Sequence, residues 1–306
     1  MIKNYGLNSE HKLVEVEEFR DFSFVFQSSR GEIGVISKKF DFPFDYLGGI
    51  LDDYENARFE SDKNGNTLLL LQFAASVENG EVQTFPFALV TTAADKVIFS
   101  LNHEVHLNDE VVQRSYNPKK FKHEIAHQII SVMTKDFANY LANFKKRRAV
   151  IEKSISKSTQ NDQLLEMIRM QASLVYIQEA LDNNLQVLKK YIDVLKEQGD
   201  DGFAESVFDL YIDTEQAKKE ARMQARLIEN LRDLFSNIVA NNLNIVMKIM
   251  TSATFVLGIP AVVFGFYGIN VPIPGQSFSW IVWIIIGMTL IVCGVVSWVL
   301  RKKDMM

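Results

Sequence analysis

Hydrophobic and polar positions change their period twice along this chain. Up to about residue 116 the apolar residues come in short β-branched or aromatic runs. Lys12–Phe19, Phe22–Gln27, Asn66–Ser76, Glu81–Ala88 and Lys96–Leu101 are such runs, several alternating with period two, and they predict strands. Asn64-Gly65-Asn66 and Glu78-Asn79-Gly80-Glu81 carry turn chemistry between them. Asp41–Glu55 predicts a helix with Pro43 in its first turn. From Asn117 the period lengthens to that of a helix. Ile125, Ile129, Val132, Met133, Phe137, Leu141 and Phe144 form one apolar stripe. A second helical stretch, 160–197, carries Leu174, Ile177, Leu181, Leu185, Leu188 and Ile192, and Gln198–Gly202 breaks it. A third helix is expected from near Phe203, without Gly or Pro until Gly258.

The last pattern has no polar period at all. Ile249–Tyr267 is 19 residues without a charge, and Trp280–Leu300 is 21. At about 1.5 Å per residue, each is long enough to cross a hydrocarbon layer roughly 30 Å thick. The linker 268–279 is uncharged and too short for a domain. Arg301, Lys302 and Lys303 follow the second span and Lys248 precedes the first, so the positive-inside rule predicts both termini in the cytoplasm and the linker outside. Tyr267, Trp280 and Trp298 suit the interfacial belts. The expected organisation is a cytoplasmic α/β domain (1–116), long cytoplasmic helices (117–202), a stalk helix entering the first span (203–267), an outer loop (268–279), a second span (280–300) and a cytoplasmic basic tail (301–306).

Composition adds limits. Net charge is −5, and the single cysteine, Cys293, lies inside the second span, which excludes a disulfide framework. The N-terminal residues lack an apolar core and are not expected to act as a secretory signal. The densest basic run, Lys145–Arg148, reads as a solvated helix face, so no nucleic acid partner is expected.

The stalk helix carries two stripes. Leu227, Leu231, Leu234 and Ile238 repeat in a coiled-coil-like seam. Asp233, Asn237, Asn241 and Asn244 form a polar row that continues as Met247, Thr251 or Met250, Thr254, Gly258 and Ala261. Small and weakly polar groups at helical spacing suit a water-filled lumen or a close helix contact. Two spans cannot enclose a pore, so the pattern implies a homo-oligomer in the lipid bilayer with the first span innermost.

Tyr267-Gly268-Ile269-Asn270 closes the first span. It resembles the Tyr-Gly-Met-Asn signature of the CorA family of divalent-cation transporters, in the Gly-Ile-Asn form that also occurs in its zinc-transporting branch. Asn244-Ile-Val-Met-Lys-Ile-Met-Thr is similar to the family's entry to the first span, and Phe208-Asp209-Leu210-Tyr211 to its Arg-Asp-Val-Tyr segment. The order of parts is similar throughout. The resemblance implies a homopentameric cell-membrane channel or transporter for Mg²⁺, with Co²⁺, Ni²⁺ or Zn²⁺ as alternatives, and no resident cofactor. It implies a selectivity filter at Gly268, Ile269 and Asn270. It implies a pore lined by Asn244, Met247, Met250, Thr254, Gly258 and Ala261, and regulatory metal binding at Asp209 and Asp233. A ring of amide oxygens suits an ion that keeps its hydration shell, as Mg²⁺ does. Family members often carry acids in the outer loop; 271–279 has none.

His123-Glu124-Ile125-Ala126-His127 is a literal H-E-x-x-H, the spacing that places two zinc ligands and a general base on one helix face. A membrane-bound zinc peptidase is therefore a competing reading. No histidine follows His127 as a third ligand, and Ile125, Ile129 and Ile130 read as an amphipathic structural helix. A non-conducting membrane scaffold is the remaining alternative.

Overall fold

The computed structural model describes residues 1–77, 80–103, 109–155, 161–269 and 280–303. It divides into two compact units, Met1–Arg232 and Asp233–Met306.

The first unit is built on a seven-stranded sheet: β1 (Ile2–Leu7), β2 (Leu13–Val16), β3 (Phe22–Phe26), β4 (Arg58–Ser61), β5 (Thr67–Ser76), β6 (Val82–Thr91) and β7 (Val97–Leu101), in the order β2-β1-β3-β7-β6-β5-β4. Neighbours are antiparallel except β3 and β7, where Phe22 faces Val97 in a parallel pair. Parallel strands need a long crossover. Here it holds α1 (Arg30–Phe40), α2 (Asp45–Gly48), a 3₁₀ turn (Gly49–Leu51) and the β4–β6 meander.

Both faces of the sheet are covered, which is why β5 runs apolar without alternation. Leu68 and Leu70 pack with Ile33, Ile36, Leu47 and Ile50 under α1 and α2. Leu69, Leu71 and Phe73 face the other way, into a larger core with Phe87, Phe99, Ile125, Ile129, Leu188 and Val207. That second layer consists of α4 (Phe121–Ile155), α5 (Asn161–Glu197) and the start of α6 (Asp201–Tyr267); α3 (Asp109–Val112) is a short turn before it.

Polar groups hold α5 on the sheet. The Gln72 backbone N–H donates to Asn184 Oδ1 at 2.9 Å, and Asn184 Nδ2 donates to the Gln72 carbonyl at 2.7 Å. Gln72 lies opposite Pro86 in β6, which has no N–H to offer. The Asn184 amide thus serves as a substitute strand edge. Ser173 Oγ similarly accepts from the Val82 N–H at 2.9 Å. Within the basic run, Arg147 donates to Glu166 of α5 at 2.6 Å and so joins two helices, while Arg148 donates to Glu152 within α4 at 3.2 Å.

Several elements differ from the sequence expectation. α1 and the strands β1 and β4 were not anticipated. α1 begins with a full capping box, Ser29 and Glu32 each bonding the other's backbone N–H. The helix expected over Asp41–Glu55 is reduced to α2 and the 3₁₀ turn. Asp41 instead ends α1 in the left-handed region at φ 55°, and Gly48-Gly49 lowers helix propensity beyond it. The break at Gln198–Gly202 stands where expected, with Gly199 at φ 77°.

The second unit contains the C-terminal part of α6 and α7 (Ile281–Lys302). Both helices are long and apolar enough to cross a membrane, and only 6% of the most apolar window of each is buried within the chain.

Candidate functional site

In the second unit, α6 presents one face to α7. Ser252 is fully buried, and Val256, Ile259 and Val263 are partly covered at helical spacing from it. Cys293 Sγ of α7 lies 3.6 Å from the Val256 carbonyl, as a donor to it. Pro260 sits inside α6, four residues after Val256. Without a proline N–H, the Val256 carbonyl loses its helical partner. The thiol from the neighbouring helix replaces it, which is how prolines are tolerated where no water can serve. Neither Pro260 nor Cys293 stood out as a pair in the sequence, since their link exists only across two helices.

The residues implied as pore-lining lie elsewhere. Thr254 precedes Val256 by two residues, so at about 100° per residue the two point to nearly opposite sides. Met247, Met250, Thr254, Gly258 and Ala261 share the side away from α7, and Asn244 lies toward its edge. Met250, Thr254 and Gly258 line one open groove along α6. The Thr254 hydroxyl donates back to the Met250 carbonyl at 2.9 Å, so the face is less polar than its composition implies. A Cβ at Gly258 would meet nothing within 4 Å. At the helix end, the Gly268 N–H donates to the Phe264 carbonyl at 2.9 Å. A Cβ there would lie 3.2 Å from that carbonyl, so close approach favours glycine. Gly268 and Ile269 follow α6 directly; Asn270 lies outside the described residues.

Asp209 and Asp233 are both exposed on α6 but belong to separate units. Among the described residues, no group of three or more His, Cys, Asp or Glu is placed to hold a metal ion. That also decides the H-E-x-x-H motif. His123 Nδ1 pairs with Asp200 Oδ2 at 2.7 Å, and its ring lies 4.3 Å from that of Phe203. Glu124 accepts the Asn117 N–H at 2.8 Å, as a cap at the start of α4. Burial pushes the His123 imidazole below its ordinary range against the opposing pull of Asp200. Burial, then the Arg114 guanidinium, does the same to His127. Each side chain of the motif has a structural partner of its own, which for His127 is the Ser206 backbone.

Residues 22–302 match the family described as CorA-like Mg²⁺ transporter protein. The chain belongs to that family. A cobalt/magnesium transport protein CorA from Methanocaldococcus jannaschii is 20% identical over 186 residues, 58% of this chain and 57% of that relative's length. The match thus spans little more than half of the curated relative. In three dimensions the CorA-like chain is similar to the complete CorA magnesium transporter of the same organism, with a TM-score of 0.83 at 16% identity over 98% of this chain and 96% of that one. The full-length CmaX protein superposes with a TM-score of 0.75 at 14% identity over 97% and 96%. The ZntB cytoplasmic domain from Vibrio parahaemolyticus superposes with a TM-score of 0.60 at 10% identity, over 78% and 98%. At these identities the superpositions establish the fold: an α/β N-terminal region, a long helix and a C-terminal apolar helix.

Proposed function

We propose that this chain is the subunit of a homopentameric divalent-cation channel of the cell membrane that takes up Mg²⁺. Gly268, Ile269 and Asn270 form its outer filter, and both termini are cytoplasmic. The observation that carries the reading is the α6 face opposite α7. It combines small, weakly polar and methionine positions on a charge-free span, and a single chain leaves it open. A lumen shared by several copies would cover that face without demanding a charge in lipid. The curated relative's description as a cobalt/magnesium transport protein supports the ion class. Inward movement of a dication across 100 mV releases about 4.6 kcal/mol, so no nucleotide is needed. The partners are other copies of the chain, the bilayer and the transported ion, and Asp209 and Asp233 are the cytoplasmic acids proposed to sense it. Likeness to a ZntB domain keeps Zn²⁺ as the second reading.

The test is uptake into proteoliposomes with internal dyes for Mg²⁺ and Zn²⁺, comparing wild type with Asn270→Ala. Mg²⁺ uptake that falls at least about tenfold in the variant, at unchanged oligomer size, is expected. A folded oligomer passing no dication overturns transport and leaves the scaffold.

A further inference from the structure

The first unit holds a polar cavity of about 610 Å³. The Asn8–Lys12 turn, the segment 114–118, the first turns of α4 and the first turns of α6 build it. Its size falls within the range of small-molecule sites, roughly 300–1,000 Å³.

Its chemistry is that of an anion receptor. Arg114 lines it, and its guanidinium donates to Gln128 Oε1 through Nη1. No carboxylate among the described residues pairs with Arg114, so the rest of its five-donor fork is available to a ligand. Glu124, also in the wall, accepts the Asn117 N–H through Oε2. His127 enters from α4 beside Arg114, with its ring bonded to the Ser206 backbone and Asp209 as an opposing charge. His11 enters from the turn, where its backbone is held at φ 60° and its carbonyl accepts the Tyr116 N–H at 2.8 Å. Phe203 and Ser206 of α6 complete the wall.

We propose that this cavity binds a phosphate monoester of a small metabolite, with Arg114 gripping the phosphate and His11 donating to it from a second element. An arginine fork joined by a donor from a separate element matches a tetrahedral group with three terminal oxygens, whereas a planar carboxylate is satisfied by the arginine fork alone. The volume exceeds what a lone phosphate fills, and the Phe203 ring supplies an apolar wall for the organic part. Two wall residues belong to α6, the helix that continues as the first span, so occupancy bears directly on its first turns. The proposal concerns the first unit alone and stands or falls independently of the ion transported.

Isothermal titration of the full-length protein in detergent with glycerol 3-phosphate, inorganic phosphate and acetate tests it. The ester is expected to bind saturably, tighter than phosphate and at least about tenfold tighter than acetate. Arg114→Gln is expected to weaken the ester by a similar factor. Lys122→Gln, which removes only the surface pair with Asp95, is expected to leave binding unchanged. Should Arg114→Gln fail to fold, protection of wild-type Arg114 from phenylglyoxal by the ester, read by peptide mass spectrometry, decides the same point. Absence of saturable ester binding, acetate or phosphate binding as tightly as the ester, undiminished binding by folded Arg114→Gln, or no protection would each overturn the proposal.

Discussion

A leucine at Gly258 makes the sharpest perturbation, because it separates the proposed lumen face from an ordinary packing face. In the subunit the new side chain meets open space, with no atom within 4 Å of a Cβ. Helix propensity itself favours the change by up to about 1 kcal/mol. The isolated fold should therefore lose nothing, while each copy of a pentamer would project an isobutyl group into a water-filled path. A narrowing ring of apolar groups blocks conduction by dewetting. A tenfold fall in flux corresponds to about 1.4 kcal/mol on the barrier, and five such groups should exceed it. The comparison variant is Ser252→Leu on the α7 side, where the site is fully buried and overpacking should cost about 1–3 kcal/mol. The assay is Mg²⁺ uptake in proteoliposomes alongside thermal unfolding and size-exclusion chromatography. Gly258→Leu should silence uptake with unfolding temperature and oligomer size retained, and Ser252→Leu should lower the unfolding temperature. Normal uptake by Gly258→Leu would refute the assignment of this face to the ion path.

Three further outcomes follow from the packing. Asn184→Ala strips the buried Gln72 N–H and carbonyl of their partners, at about 1–3 kcal/mol for each group, and the full chain should unfold at markedly lower denaturant; an unchanged midpoint would deny the strand-edge role. Cys293→Ala should cost about 0.6 kcal/mol or somewhat more in detergent, but nothing in a Pro260→Ala background, where the Val256 carbonyl regains a helical donor; equal costs in both backgrounds would break the coupling. His123 and His127 both sit below the ordinary value of 6.5, so between their folded values and 6.5 the unfolded chain binds more protons. Their contribution is complete above pH 6.5 and is lost as pH falls, and His127→Gln should flatten that decline in a pH series of unfolding temperatures; an unaltered slope would contradict it.

Much of the molecule is legible in one dimension because its signals are local. A charge-free run about as long as a bilayer core is thick marks a candidate span by local composition alone, and the helical periods of 121–155 and 161–197 survive because each helix buries one face. The long runs of β5 and β6 announce themselves by composition. β1 does not, since Ile2–Leu7 carries Asn4 and Gly6 and becomes a strand by lying between β2 and β3. The capping box at Ser29 and Glu32 was readable before α1 but needed a burial partner to be believed.

The candidate site divides in the same way. Order along α6 places Met250, Thr254 and Gly258 on one side by helical geometry alone, and the resemblance in the terminal motif needs only neighbouring residues. Which side faces α7 was settled by Ser252 and by the Cys293–Val256 contact, because a helix period gives relative directions but no origin. His123, Glu124 and His127 show the converse. Their spacing is that of a zinc site, yet Asp200, the Asn117 N–H and the Ser206 backbone give each side chain a different partner. Sequence determines what a local segment can become; tertiary structure assigns its partners, since hydrogen bonds and charges are satisfied by proximity in space.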